Sequence, residues 1–271
     1  MIYFEPHPVL FSVGSFEIRF YSLMYILGFI IAYLLIPKIQ KYKNLNLTKE
    51  EILDIILIIF ISIIIFARIF YVFYYGFDKL RTDPMIIFKI WEGGMSFHGG
   101  LLGAVIAGLI ISKKKKINFF KLADVLIIPV PLALSFGRIG NLMNGELYGR
   151  VTNVPWAFFF PTAPDRGLLP RHPSQIYESI KNLIIFLILL FISKSENKKI
   201  SKLKEKDGFF FWLFILLYGL FRFIIEYFRE PEITFTFFSI TLTAGQLLCA
   251  LMVLSSIFGF WFTFRKKISS L

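Results

Sequence analysis

One cysteine, Cys249, stands in 271 residues. A lone thiol excludes an internal disulfide and any metal cluster of the cysteine type. Its apolar surroundings read it as a small buried hydrophobe. Charge is scarce as well: Asp, Glu, Lys and Arg make up 18% of the chain, hydrophobic residues 56%, and Phe alone numbers 34. Soluble domains carry about 25% charge, so this composition excludes a disordered chain and an ordinary soluble enzyme with one core. The carboxylates inside apolar runs stand singly, which argues against a Mg²⁺ site. Met1 to Pro8 lacks a basic n-region and holds Glu5, Pro6 and Pro8, so no signal peptide is expected. No internal repeat is convincing, which withholds support from an inverted-repeat transporter.

What is present is a series of apolar runs long enough to cross a bilayer, for which a helix needs about 20 residues. Seven are expected: Phe20 to Ile36, Ile52 to Tyr75, Phe97 to Ile111, Leu122 to Phe136, Ile176 to Ile192, Phe209 to Phe228 and Phe238 to Phe264. The third and fourth are short and interrupted by Gly99, Gly100, Gly103 and Gly108 or by Pro129 and Pro131. Broken spans are tolerated where they are buried or line a cavity, so this region is the expected site. Val9 to Ile18 is too short to span and reads as an amphipathic piece at the interface.

The net charge of +12 follows the runs. Lys38, Lys41, Lys43 and Lys49 follow the first; Lys113 to Lys116 and Lys121 follow the third. Lys194, Lys198, Lys199, Lys202, Lys204 and Lys206 follow the fifth, and Arg265, Lys266 and Lys267 close the chain. These 18 of 30 basic residues share one side if the spans alternate. Cytoplasmic loops collect Lys and Arg, so the N-terminus is expected outside and the C-terminus inside. The lysine runs are then topology signals and solvated faces rather than a nucleic-acid surface. The other 12 basic residues are mostly arginines: Arg19, Arg68, Arg138, Arg150, Arg166, Arg171, Arg222 and Arg229, with Lys79, Arg81, Lys89 and Lys181. A guanidinium fork suits phosphate and stays charged, so this set points to an anionic ligand such as a phospholipid head group.

Ionisable residues inside spans mark function by default. Tyr218, Arg222, Glu226 and Arg229 are four, four and three apart and share a helical face; Arg222 is expected to be held by Glu226 and still to offer N–H donors. A second cluster runs from Gly137 to Arg150 with Arg138, Asn141, Asn144, Glu146 and Gly149. Its glycines let the backbone approach a ligand, and its amides both donate and accept. A third is Trp91 to Gly100, where His98 is a candidate base or phosphate donor. The fourth, Arg171-His172-Pro173-Ser174-Gln175-Ile176-Tyr177-Glu178, enters the fifth run. Ser174 is placed to cap that helix, and Gln175 and Glu178 to orient neighbours.

Together these motifs resemble the prolipoprotein diacylglyceryl transferase family over essentially the whole chain. The resemblance rests on Tyr21 to Gly28, Gly-Gly-Met-Ser-Phe-His-Gly-Gly at 93–100, the Gly137-to-Gly149 signature and Arg-His-Pro-Ser-Gln at 171–175. It continues through the Tyr218/Arg222/Glu226 face and Gly245-Gln246. Two departures are Phe20-Tyr21-Ser22, where the family usually has Trp-Tyr-Gly, and Leu142, where it usually has Phe. The resemblance implies an all-α integral membrane protein with seven transmembrane helices, N-out and C-in, and a small outer-side head formed by loops. The whole of 1–271 would be one polytopic domain, with 137–174 the outer signature loop and head.

The implied reaction moves the diacylglyceryl group of phosphatidylglycerol to the lipobox cysteine thiol in a prolipoprotein signal peptide, giving a thioether and glycerol phosphate. The implied place is the bacterial cytoplasmic (inner) membrane, with the site facing the outer leaflet. Arg138, Arg222 and His98 would be catalytic; Tyr21, Arg138, Asn141, Glu146, Gly149, Tyr218, Arg222 and Glu226 would bind phosphatidylglycerol. No cofactor, no metal and no nucleic acid is expected. The residues suit this chemistry. A leaving phosphate needs cations in a low-dielectric site, and the attacking thiol must become a thiolate, with His98 or a neighbouring acceptor taking the proton. Rival readings are a transporter or channel for an anionic solute or lipid, an intramembrane serine hydrolase using Ser96 and His98, and a metal-dependent phosphatidyl transferase.

Overall fold

The computed structural model describes residues 1–14, 16–231, 233–237 and 240–265. Phe238, where the seventh run is expected to begin, and Lys266 and Lys267 of the basic tail lie outside the described residues. The long helices are α1 (Phe20–Ile39), α2 (Lys49–Tyr74), α4 (Phe97–Lys114), α7 (Ser174–Lys194), α9 (Phe209–Ile225) and α10 (Ala244–Arg265). Shorter ones are α3 (Phe77–Thr82), α5 (Phe119–Leu126), α6 (Val130–Met143) and α8 (Lys198–Lys204). Six helices are long and apolar enough to cross a membrane. A seventh span forms if α5 and α6, bent by 48° at Ile127 to Pro129, count as one. The chain therefore reads as a multi-pass membrane protein. Its lipid-facing surface is visible on α10, where Leu251, Leu254, Ile257 and Phe258 are all more than half exposed.

The loops differ from the all-helical expectation. Val9 to Ile18, expected as an amphipathic piece too short to span, is extended: β2 (Val9–Val13) and β3 (Phe16–Arg19) pair antiparallel. The seventh helix starts at Ala244, because Thr-Phe-Thr-Phe and Ile-Thr-Leu-Thr form the antiparallel pair β6 (Thr234–Phe237) and β7 (Ile240–Thr243). Those segments alternate with period two and are rich in β-branched residues, which favours a strand. In a third group, β1 (Ile2–Tyr3) runs parallel to β4 (Phe158–Phe159), which pairs antiparallel with β5 (Pro170–Arg171).

The chain divides into two compact units, Met1–Leu35 with Asp124–Leu271, and Ile36–Ala123. In the second, α2 opens with a capping box: the Thr48 hydroxyl accepts from Glu51 N at 3.2 Å and Glu51 Oε2 accepts from Thr48 N at 2.9 Å. The third run is unbroken, which corrects the expectation of an interrupted span. Its glycines serve packing instead. The Gly103 carbonyl accepts a hydrogen bond from Ser62 Oγ at 2.9 Å. A Cβ on Gly103 would stand 2.5 Å from the Ser62 carbonyl oxygen and 2.9 Å from Phe66 Cβ. With Gly99 one turn earlier also against Phe66, α2 and α4 meet as small-residue membrane helices do. Gly103→Val is therefore expected to destabilise this unit by about 1–3 kcal/mol, the usual cost of overpacking. Thermal unfolding in detergent checks it; an unchanged Tm would mean the helices separate freely there.

In the first unit, Asp124 is fully buried and accepts from the backbone N–H groups of Gly208 and Phe211, each at 2.9 Å. It thereby caps the start of α9 across the sequence. The segment between α6 and α7 folds over its own small core. Phe160 is buried, with the rings of Phe4, Tyr148 and Phe158 at 5.8, 5.6 and 5.9 Å.

Candidate active site

Helices α6, α7 and α9 bring charged side chains together at the level of the apolar runs. Glu178 of α7, 1% exposed, is the centre. Its Oε1 accepts from Arg222 Nη1 at 2.6 Å and its Oε2 from Lys181 Nζ at 2.8 Å. Arg138 Nε lies 3.9 Å from the same Oε2, within ion-pair reach and beyond a hydrogen bond. The other side of the Arg222 fork meets Glu226, with Nη2 2.7 Å from Oε2. Glu226 is fixed in turn by the Thr243 hydroxyl, which donates to Oε1 at 3.0 Å. Thr243 Oγ1 also accepts from Gln246 N at 3.0 Å, and Gln246 Oε1 accepts from Thr243 N at 3.0 Å. Arg138 interacts further with Tyr218 and Tyr21. Removing one member of such a buried network costs about 3–5 kcal/mol because the partner charge stays buried.

The expected pair of Arg222 and Glu226 is present, but sequence spacing missed that Glu178 is its second anchor and that Lys181 shares it. The available signal was Glu178 and Lys181 three apart inside an apolar helix, where ionisable groups need partners.

The signature segment belongs to the same unit as this cluster. Asn141 Nδ2 and Asn144 Nδ2 donate to Glu146 Oε1 at 2.7 and 3.2 Å. Gln175 Nε2 donates to the Glu146 carbonyl at 2.7 Å and Ser174 Oγ to the Leu147 carbonyl at 2.8 Å. Ser174 thus ties down the loop and does not cap α7, whose N-cap residue is Pro173. Gly149 N donates to the His172 carbonyl at 2.8 Å. A Cβ at Gly149 would stand 2.7 Å from His172 Cβ and 2.8 Å from that carbonyl oxygen, so only glycine fits. The Tyr21 ring lies against Gly140, and its hydroxyl is 3.1 Å from that of Tyr25.

The wider arginine set separates into two kinds. Arg68, 3% exposed, directs its guanidinium at backbone carbonyls: Ile86 at 3.2 and 2.6 Å, Lys89 at 2.7 Å, Gly94 at 3.0 Å, and Gly93. Arg171 bonds Asp165 and Glu230, each at 3.0 Å, and Arg150 bonds the Arg229 carbonyl at 2.8 Å. Arg19 pairs with Glu17 at 3.1 Å. The forks of Arg68 and Arg171 are taken up by oxygens of the chain and hold loops, while Arg150 reaches its carbonyl through Nε and Arg19 pairs with Glu17 at the surface. His98 is exposed in the first turn of α4, its ring edge-on to Phe97 at 5.8 Å. Ser96 caps that helix, its Oγ accepting from Gly99 N at 3.3 Å, which gives the hydroxyl a structural role.

His172 has a structural part. Trp156 Nε1 donates to the Tyr177 hydroxyl at 2.7 Å, and that hydroxyl lies 3.1 Å from His172 Nδ1. With its oxygen accepting from the indole, the hydroxyl has its own proton to donate to a neutral imidazole. Burial lowers the His172 pKa below its ordinary value. Above about pH 6.5 neither the folded nor the opened loop binds a proton. As pH falls below that, the opened loop takes one up first, and stability is lost down through the folded value. Amide exchange at Gly149, corrected for its intrinsic pH dependence, is therefore expected to accelerate below about pH 6.5 and to lose this dependence in His172→Phe. A flat profile in the unsubstituted chain would remove His172 from the loop's stability.

The family model described as prolipoprotein diacylglyceryl transferase matches residues 8–262. The chain is 42% identical over 266 residues to the phosphatidylglycerol–prolipoprotein diacylglyceryl transferase of Geobacter sulfurreducens, covering 97% of this chain and 98% of that protein. Its identity to the proteins of that name is 41% over 261 residues in Vibrio cholerae, covering 96% of this chain and 92% of that protein. In Aeromonas salmonicida it is 38% over 267 residues, covering 98% and 93%. None of these matches supports a transporter or channel. With its family model matched over nearly its full length, this chain belongs to the prolipoprotein diacylglyceryl transferase family.

Proposed function

We propose that this chain transfers the diacylglyceryl group of phosphatidylglycerol to the lipobox cysteine of prolipoproteins. The observation that carries the reading is the convergence of Arg138 and Arg222 on a buried carboxylate, with donors left over. In the reaction the substrate thiolate attacks the glyceryl carbon that carries the phosphate. The C–S bond forms as the C–O bond breaks, and glycerol phosphate leaves with the electron pair. Arg222, braced by Glu178 and Glu226, and Arg138 stabilise the charge that gathers on the leaving phosphate. Tyr218, Tyr21, Asn141, Glu146 and Gly149 shape the phosphatidylglycerol site, and His98 takes the thiol proton. The nucleophile belongs to the substrate, so the chemistry asks for no catalytic cysteine here.

The chain acts as one polytopic domain of the bacterial inner membrane. Residues 137–174 carry the signature, 137–143 as the end of α6 and the segment beyond it as the outer head, and the site opens to the outer leaflet. The lysine distribution supports N-out and C-in. A reporter fused after Leu271 is expected to be active only in the cytoplasm; periplasmic activity would overturn that topology. The reaction itself is tested by incubating purified protein with phosphatidylglycerol and a lipobox peptide. Mass spectrometry is expected to find the diacylglyceryl mass on the peptide cysteine, and its absence would refute the reading.

A further inference from the structure

Three cations share the Glu178 carboxylate, and one of them, Lys181, has no part in the chemistry described above. Its side chain is 2% exposed, and it helps to line an apolar groove of about 320 Å³ with Ile180, Ile184, Phe221 and Ile224. An ammonium in hydrocarbon costs about 2.5–3.5 kcal/mol even on the mildest scale, so its partners must compensate. They are Glu178 Oε2 at 2.8 Å and the face of Tyr218, whose ring centroid is 3.7 Å from Nζ.

The geometry shows what this occupancy does. Glu178 Oε1 is filled by Arg222 and Oε2 by Lys181, and Arg138 stands off at 3.9 Å. A carboxylate already holding two cations attracts a third less. The paired set is Arg138, Lys181 and Arg222 against Glu178 and Glu226, which leaves one positive charge. Without Lys181 the four remaining groups would neutralise one another, and Arg138 would be free to close on Oε2. Arg229, one turn beyond Glu226, senses the same four groups but makes none of these contacts.

We propose that Lys181 is a positioning residue. By occupying Glu178 Oε2 it keeps the Arg138 fork unsaturated and aimed at the phosphate of the lipid substrate. The inference rests on the proposed transfer reaction and adds a determinant of phospholipid affinity that lies outside the phosphate's own contacts.

The test varies phosphatidylglycerol at saturating lipobox peptide in the unsubstituted chain, Lys181→Met, Lys181→Arg and the double variant Lys181→Met/Glu178→Gln. Lys181→Met is expected to raise KM for phosphatidylglycerol about tenfold, the scale of one weakened charge-assisted hydrogen bond. Lys181→Arg, which keeps the charge at Glu178, is expected to stay near the original KM. In the double variant a neutral amide no longer captures Arg138, so KM is expected to fall back toward the original value, while the loss of the Glu178 brace on Arg222 is read separately as a lower kcat. A purely structural Lys181 would instead lower Tm and the yield of active protein with KM unchanged, and a second lesion in the cluster would only add to the damage. Where Met is not tolerated, Lys181→Gln removes the charge but still donates to Glu178, and it is expected to move KM in the same direction. An unchanged KM in the neutral variants, or a double variant no better than Lys181→Met, overturns the proposal. No product from the unsubstituted chain overturns the transfer reading and this inference with it; product with unchanged KM overturns this inference alone.

Discussion

Arg138→Lys and Arg222→Lys are each expected to lose most transfer activity although the charge is kept. Arg222 spans two carboxylates, with Nη1 2.6 Å from Glu178 Oε1 and Nη2 2.7 Å from Glu226 Oε2. An ammonium on a single stem can hold one of them, and doing so takes it away from the ligand. The guanidinium has five N–H groups, so its two braced ends still leave donors for a phosphate. Losing one such contact at the transition state costs about 2–4 kcal/mol, or roughly 30- to 1,000-fold in kcat/KM. Arg138 stands 3.9 Å from Glu178 and is held by Tyr218 rather than by a close carboxylate, and its substitution is expected to act chiefly through the lost phosphate contact, with a smaller effect on folding than at Arg222. Arg222→Lys is expected to lower Tm as well, because Glu178 and Glu226 are both buried and one of them would lose its partner. Normal turnover in both variants at normal protein level would make these arginines structural.

What could be read from the chain beforehand follows from the range of each interaction. The spans were legible because hydrocarbon imposes a length and an apolar character on any helix that crosses it. The Arg222–Glu226 pair was legible because a spacing of four repeats on one helical face. Glu178 to Arg222 was not: the two lie 44 residues apart, and only the packing of α7 against α9 joins them. Arg68 was misread for a related reason. Its acceptors are backbone carbonyls of Ile86, Lys89, Gly93 and Gly94, and any sequence supplies those. Ser174 has the composition of a cap but faces the Leu147 carbonyl, a choice set by the loop folded over it. The glycines of α4 were read as a break in a span. The physical alternative, close approach of α2, depends on the partner face with Ser62 and Phe66 and so appears only in three dimensions. The run expected from Phe238 to Phe264 becomes helical only at Ala244, because Thr234–Phe237 and Ile240–Thr243 alternate with period two and pair as strands.

His98→Gln is expected to lower transfer at neutral pH by about 100-fold or more, the range of a lost general base, and to recover partly in alkali. Gln still donates a hydrogen bond but has no useful affinity for a proton. If His98 removes the thiol proton, the unsubstituted chain transfers at neutral pH, with the imidazole accepting that proton. The Gln variant must instead wait for the thiol to ionise unaided, near pH 8.5 for an ordinary cysteine. A residue that only donates to the phosphate behaves differently: Gln would replace it at neutral pH, and alkali would bring no rescue. The placement of His98 favours the base. It is exposed in the first turn of α4, where an incoming peptide can reach it. The measurement is kcat/KM against pH, from about 6 to 9.5 around the thiol's own titration, with identical peptide and lipid for both proteins. Full activity of His98→Gln across that range would sink the base assignment. The proton would then go to another acceptor, and Glu146 is next to test: it is exposed, and its carboxylate accepts from Asn141 and Asn144.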